Sequence, residues 1–316
     1  MGEKWKLELE EYIRQGEPTR RQKSEAWQTA IGLQQVDGLT TSEYLFDTAK
    51  EHIEGNININ QVQNRIYSYY EQKNERTQFE KETREADIVA TRIAEILGES
   101  AFQLSPIQWM EIHKRLFQGV FEIAGKIRDY NITKKEWILK DDTVIYASFD
   151  SIREILKYDF GEEKKFSYEG LSINEIIEHL AKFTSDIWQI HPFGEGNTRS
   201  TAVFIIKYMK TLGFNVSNDV FAEHSWYFRN ALVRANYNDL RNGIHATTKY
   251  LEMFFSNLLL GTNYQLKNRY MHVEYSKEKY DDNYFEQNII KEENNYTIIK
   301  NAAKIQNYEI VKTEKE

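Results

Sequence analysis

The 316-residue sequence predicts a mainly helical, all-α protein that carries one β-hairpin, on three observations. Only 3 residues are proline, so long helices meet few breaks. Apolar residues recur at helical spacing through most of the chain. Strand-like patterning is confined to one place, where Trp137-Ile138-Leu139 and Val144-Ile145-Tyr146 flank the polar turn Lys140-Asp141-Asp142-Thr143.

The elements follow in order. Residues 1–24 are charged, with Trp5, Leu7, Leu9 and Tyr12 as scattered apolar points. Ala26 to Leu33 reads as a helix that runs out at Gln35-Val36-Asp37-Gly38, with Gly38 its C-cap. Thr40 and Glu43 have capping-box spacing for the next helix, which carries Tyr44, Leu45, Ala49 and Ile53 and stops at Gly55. Asn60 to Tyr70 is a third helix, with Val62, Ile66, Tyr67 and Tyr70 on one face. A charged stretch over 71–84 leads to a helix from Asp87 to Leu97, ended by Gly98. Ser105-Pro106 has cap chemistry for a helix bearing Trp109, Ile112, His113, Leu116 and Phe117, with His113 expected to pack rather than react. Gly125 lets the chain turn sharply towards the hairpin.

Ser151 to Tyr158 is a short helix, and Gly161 to Gly170 reads as a polar loop. Ile173, Ile176, Ile177, Leu180, Phe183 and Ile187 form one face of the helix that follows. Ala202 to Met209 is apolar nearly all round, the mark of a buried helix, and Gly213 ends it. Helices are expected again over Phe221–Tyr237 and Tyr250–Leu260, and the chain turns polar from Asn263. These shifts divide the chain into an N-terminal helical region (1–72), a central domain (73–262) and a polar C-terminal extension (263–316).

Composition narrows the function. With 41% apolar and 14% aromatic residues, the chain is globular. A net charge of −8 argues against a general nucleic-acid or anionic-membrane binder, though not against a local nucleotide site. There is no cysteine, so no disulfide or zinc–thiolate site, as suits a reducing cytosol. No apolar run approaches the ~18 residues of a membrane span, and the charged N-terminus has no signal-peptide core. A cytoplasmic protein is expected.

Chemistry concentrates between the two most apolar helices, in His191-Pro192-Phe193-Gly194-Glu195-Gly196-Asn197-Thr198-Arg199. Pro192 stops the incoming helix and another restarts near Asn197. A Gly-rich loop feeding a helix N-terminus suits an anion, most often phosphate. His191 can serve as a base near pH 7. Glu195 is a hard oxygen ligand for Mg2+ carried by nucleotide phosphates. Arg199 offers a planar fork, and Gly194, Gly196, Asn197 and Thr198 supply donors for charge growing at phosphorus. Phe193 is expected to anchor the loop from below. The alternative for these residues is a packed helix–loop–helix corner.

This segment resembles the Fic-family signature, His-x-Phe-x-Glu/Asp-Gly-Asn-Gly-Arg-x-x-Arg, at His191, Phe193, Glu195, Gly196, Asn197 and Arg199. Thr198 stands in place of a glycine, and Ala202 in place of the second arginine. Ala124-Gly125-Lys126-Ile127-Arg128 resembles the family's Ala-Gly-x-x-Arg stretch. The resemblance spans roughly residues 85–260. It implies a helical core with a hairpin flap, here Val144, Ile145 and Tyr146, that positions a target protein's hydroxyl. It implies an adenine pocket lined by an aromatic pair and an asparagine, with Phe228, Arg229 and Asn236 nearest in position. The N-terminal region resembles the antitoxin helices of some Fic enzymes, whose Ser/Thr-x-x-x-Glu-Gly/Asn segment blocks the ATP site. Leu33 to Gly38 matches with Leu33 for the hydroxyl and Asp37 at the inhibitory glutamate.

The resemblance implies a protein adenylyltransferase that moves AMP from ATP, with Mg2+, to a Ser, Thr or Tyr hydroxyl of a target or of the protein itself. Transfer of another phosphate-linked group, or a non-catalytic partner-binding module, are the alternatives. A homo-oligomer stays open.

Overall fold

The computed structural model describes residues 18–72, 76–216 and 219–274. The N-terminal stretch with Trp5, Leu7, Leu9 and Tyr12 lies outside the described residues, as does the C-terminal extension beyond Glu274. The described residues form ten α-helices and no strand ladder, only the isolated antiparallel bridges Glu136–Asp142 and Asp239–Ile244. No described helix is long and apolar enough to cross a membrane. The chain clusters into two compact units.

One unit draws its described residues from Met1–Ala101, Met110–Gly125 and Ser217–Ser225. It holds α1 (Pro18–Gly32), α2 (Glu43–Glu54), α3 (Ile59–Glu71) and α4 (Gln78–Gly98), with α1 packed along α4. Trp27, Leu45, Ile53, Val62, Ile66, Val89 and Ile93 are buried. Gly32 is required by close approach: a Cβ there would lie 2.4 Å from the Ala222 Cα, and Ser225 Oγ donates to the Gly32 carbonyl at 2.8 Å. The segment after α1 is a 3-10 turn, Leu33–Asp37, closed by Gly38 in the left-handed region (φ 72), with Leu33 and Val36 buried and Asp37 exposed. The expected Thr40 capping box is not formed. Ser42 is the N-cap of α2, accepting from Leu45 N, because Asp87 holds its backbone N–H and hydroxyl and so fixes where the helix starts. The charged stretch over 71–84 is helix from Gln78 onward, since Thr77 and Glu80 form a capping box that opens α4 there. His113 is packed, as expected: it is buried, and its Nδ1 accepts from Gly125 N at 2.9 Å.

The other unit draws on Phe102–Trp109, Lys126–Val216 and Trp226–Glu316. Its core is α7 (Ile173–Ile190), packed against α6 (Ile152–Lys165), α8 (Asn197–Thr211) and α10 (Lys249–Leu260). α5 (Pro106–Phe117) and α9 (Asp219–Ala235) each have residues in both units. A capping box of Ser172 and Glu175 starts α7. Ala202 to Met209 of α8 is buried throughout, as its unbroken apolar character predicts. The rings of Trp109, Phe160, Phe183 and Phe204 interlock around these helices. The expected Gly161–Gly170 loop is helical as far as Lys165. Buried Glu163 accepts from the Tyr168 and Tyr208 hydroxyls and pairs with His179 Nε2 at 2.6 Å, which holds that last turn in place.

The expected two-stranded hairpin is not built as strands. Trp137–Leu139 curls into a 3-10 turn, and Lys140 and Asp141 follow at φ 58 and 63. Ile138 and Leu139 are both buried, so this arm lacks the alternation a half-buried strand needs. The second arm does alternate, with Val144 and Tyr146 buried and Ile145 82% exposed. It bonds to the end of α7 instead: Gln189 Nε2 donates to the Ile145 carbonyl (3.0 Å) and Ala147 N to the Gln189 carbonyl (3.4 Å).

Candidate active site

The loop begins where α7 ends. His191 is its C-cap, in the left-handed conformation (φ 48, ψ 57). A non-glycine residue there costs roughly 1–2 kcal/mol and persists only where neighbours enforce it. Arg128 supplies the enforcement. Its Nε donates to the His191 carbonyl at 2.7 Å, Nη2 to those of Ala147 and Ile190, and Nη1 to that of Tyr130. Its backbone N–H donates to the Pro192 carbonyl at 2.8 Å. The guanidinium thus meets carbonyls on every edge, and burial lowers its pKa.

Asn197 closes the loop. Its Oδ1 accepts from Phe193 N (3.0 Å) and its Nδ2 donates to the Phe193 carbonyl (2.7 Å). Phe193 is fully buried edge-on to Trp109, at 5.5 Å, the anchor the sequence predicts. Gly196 takes φ 75 at the N-cap of α8, a position open to glycine at little cost. Thr198 Oγ1 accepts from Trp188 Nε1 at 3.0 Å, tying α8 back to α7. Arg199, 1% exposed, lies in the first turn of α8. Near this end the helix N–H groups lack intrahelical acceptors and its dipole favours anions.

The imidazole of His191 is 2% exposed. Its Nδ1 lies 3.1 Å from the Trp188 carbonyl, which can only accept, so Nδ1 carries the proton. Nε2 therefore holds the lone pair, is buried and has no hydrogen-bond partner. The pKa is driven well below 6.5 by burial first and then by the cations Lys134, Arg128 and Arg229, against the bond to Trp188. The group is a neutral base. The Tyr146 ring lies 4.1 Å from it and Trp188 stands edge-on at 5.0 Å. The Tyr146 hydroxyl is buried, and burial pushes its pKa up, with Glu136 adding to the shift.

Glu195 is half exposed, and Lys134 Nζ lies 3.2 Å from its Oε1. No cluster of three or more His, Cys, Asp or Glu side chains able to hold a metal exists among the described residues. A single loop carboxylate fits an ion that arrives on nucleotide phosphates rather than one caged by protein.

The loop brings His191 and Gly194 to Arg199 together, and Tyr146 joins them. The three residues expected at an adenine pocket are placed differently from one another. Phe228 is fully buried against Phe254 and Phe255. Arg229 makes a two-pronged ion pair with buried Glu136 (2.6 and 3.0 Å) and lies over the Trp226 ring. Asn236 Nδ2 donates to Ser185 Oγ at 2.9 Å. Asp37 belongs to the other unit. Sequence reasoning passed over Arg128 and Lys134 as site residues. Arg128 had a signal in the Ala-Gly-x-x-Arg stretch; Lys134, one of many lysines, had none.

A family profile described as "Fic/DOC family" matches residues 103–209. Protein adenylyltransferase VbhT of Bartonella schoenbuchensis is 28% identical over 109 residues, which cover 34% of this chain and 22% of that protein. A probable protein adenylyltransferase Fic of Escherichia coli (strain K12) is 24% identical over 150 residues, 47% of this chain and 66% of that one. In both cases the chain spans less than two thirds of the relative's length. Of solved structures, the N-terminal FIC domain of Bep8 protein from Bartonella sp. 1-1C aligns at 20% identity and a TM-score of 0.46. That alignment covers 59% of this chain and 88% of that one. Residues 103–209, with the loop from His191 to Arg199 inside them, are a domain of the Fic/DOC family.

Proposed function

We propose that the protein transfers AMP from ATP to a hydroxyl of a protein. The observation that carries this reading is the His191 ring: buried, neutral, with Nδ1 bound and Nε2 free, at the head of a loop that leads into a helix N-terminus. The names of the relatives, protein adenylyltransferases, support it. In this reading the phosphates lie over Gly194–Arg199. The acceptor hydroxyl loses its proton to Nε2 of His191 as its oxygen bonds to the α-phosphorus. The bond from that phosphorus to the β-phosphate bridging oxygen breaks, and pyrophosphate leaves with the electron pair. Mg2+ on the phosphates would be held by Glu195 and would neutralise their charge. Donors of the loop and Arg199 stabilise the phosphoryl oxygens, and proton transfer to a placed base adds roughly 10²–10⁴-fold.

Tyr130, Trp137, Phe149 and the 82%-exposed Ile145 leave apolar surface on the segment between Arg128 and α6, and the reading assigns target docking to it. Acceptance by a tyrosine or serine of the protein itself is the simplest case to observe. The setting is a reducing, ATP-containing compartment, the cytoplasm.

The test is ATP labelled at the α- or at the γ-phosphate, given with Mg2+ to the parent and to His191→Ala. Label from the α-position only, lost in the variant while nucleotide binding persists, is expected. The rate should stay level as pH falls through 6.5, because the imidazole is held neutral well below that value. Equal incorporation by variant and parent removes His191 from the chemistry. Ala202 is fully buried on α8 and adds no charge to the loop, so a different seating of the triphosphate is the second reading. Label from the γ-position would select it.

A further inference from the structure

Lys134 lies 61 residues from Glu195 in sequence, yet its ammonium sits on both oxygens of that carboxylate, at 3.2 and 3.5 Å. Its charge is also the largest single cationic influence on the His191 imidazole. Both side chains of the pair keep solvent contact, 30% and 44% exposed, and such pairs contribute little to stability. The contact is therefore easily exchanged. A lysine is a flexible, strongly hydrated point charge suited to phosphate oxygens. Glu195, freed, is the one loop carboxylate suited to a divalent ion.

We infer that Lys134 is a phosphate-binding residue of this site, held on Glu195 until nucleotide and metal arrive and then exchanged. The metal takes the carboxylate, and the ammonium turns to the phosphates. This rests on the nucleotide reading above and adds a residue and a coupling to it. The ammonium competes with a bare metal ion for Glu195, so each ligand that draws one partner away favours the other. No bond is made or broken in the exchange.

The test is titration calorimetry with MgATP and with adenosine, and electron paramagnetic resonance with Mn2+ alone. The full chain, Lys134→Met and Lys134→Arg are compared. Loss of one charge-assisted contact should weaken MgATP roughly 10–100-fold in Lys134→Met and leave adenosine unchanged. Lys134→Arg, which keeps the charge, should recover most of the affinity. Mn2+ alone should bind Lys134→Met more tightly than the parent. Equal MgATP affinity in Lys134→Met and parent would overturn the inference, as would equal weakening of MgATP and adenosine or no gain for Mn2+. A parent that binds no ATP would instead sink the nucleotide reading itself.

Discussion

Arg128→Met tests whether the backbone of His191 is held by a single guanidinium. Arg128 donates to four carbonyls. Two of the acceptors, His191 and Ile190, are bonded in fully buried surroundings, whereas the bonds to Tyr130 and Ala147 are partly buried and can be replaced by water. An orphaned buried carbonyl costs about 1–3 kcal/mol. Removing the guanidinium also removes the penalty of burying its charge, which offsets part of that loss. The net expectation is a loss of about 2–4 kcal/mol, well short of four separate bonds. The residue most exposed to the change is His191, whose left-handed backbone would relax once its carbonyl is released. Urea unfolding of the parent, Arg128→Met and Arg128→Lys gives the stability. A proton–carbon NMR spectrum of the histidine rings reports the local change. An ammonium cannot reach four acceptors arranged around a plane, so Arg128→Lys should recover little. A loss under about 0.5 kcal/mol in the Met variant would refute the argument. So would full recovery by lysine.

Other consequences can be checked the same way. Burial is the first cause of the low His191 pKa, and Tyr146 covers that ring, so Tyr146→Ala should move its NMR titration up towards 6.5 while Tyr146→Phe leaves it in place. Equal titrations in all three proteins would remove Tyr146 as the cover. Gly32→Ala places a Cβ 2.4 Å from the Ala222 backbone, so despite better helix propensity it should destabilise by about 1–3 kcal/mol in urea; a stabilised variant would contradict the close approach. Burial raises the Asp87 carboxyl from 3.8 to about 6, against hydrogen bonds from Ser42 and Tyr70. The native state then holds this proton at pH values where the unfolded chain has lost it. The stability it contributes is fully present below 3.8 and is lost as pH rises through about 6. Parent minus Asp87→Asn stability, from urea midpoints, should fall over that window, and a flat difference would show that Asp87 titrates normally.

Much of this protein was legible along the chain. The helix stops at Gly38 and Gly55, the start at Ser105-Pro106, the buried run Ala202–Met209 and the closure of the site loop by Asn197 on Phe193 depend on residues within a turn or two of each other. Caps, apolar periodicity and glycine in left-handed positions act over that distance, so the sequence states them directly. The fold departs from the local pattern where two local solutions compete. Ser42 took the cap from Thr40 because Asp87, 45 residues away, holds its N–H and hydroxyl, and Trp137–Leu139 curled because both Ile138 and Leu139 found burial.

Beyond Trp188, three residues back, what surrounds the His191 ring was decided by tertiary packing. Arg128 reaches it across 63 residues, Lys134 meets Glu195 across 61, and Arg229 turns to Glu136 across 93. Tyr146 covers the imidazole because its arm bonds to the end of α7 rather than to a partner strand. A sequence names the groups that can accept a proton or hold a phosphate. The tautomer follows from the Trp188 carbonyl at the end of the same helix, whereas the cations that set the pKa are distant charges that only folding places beside the ring.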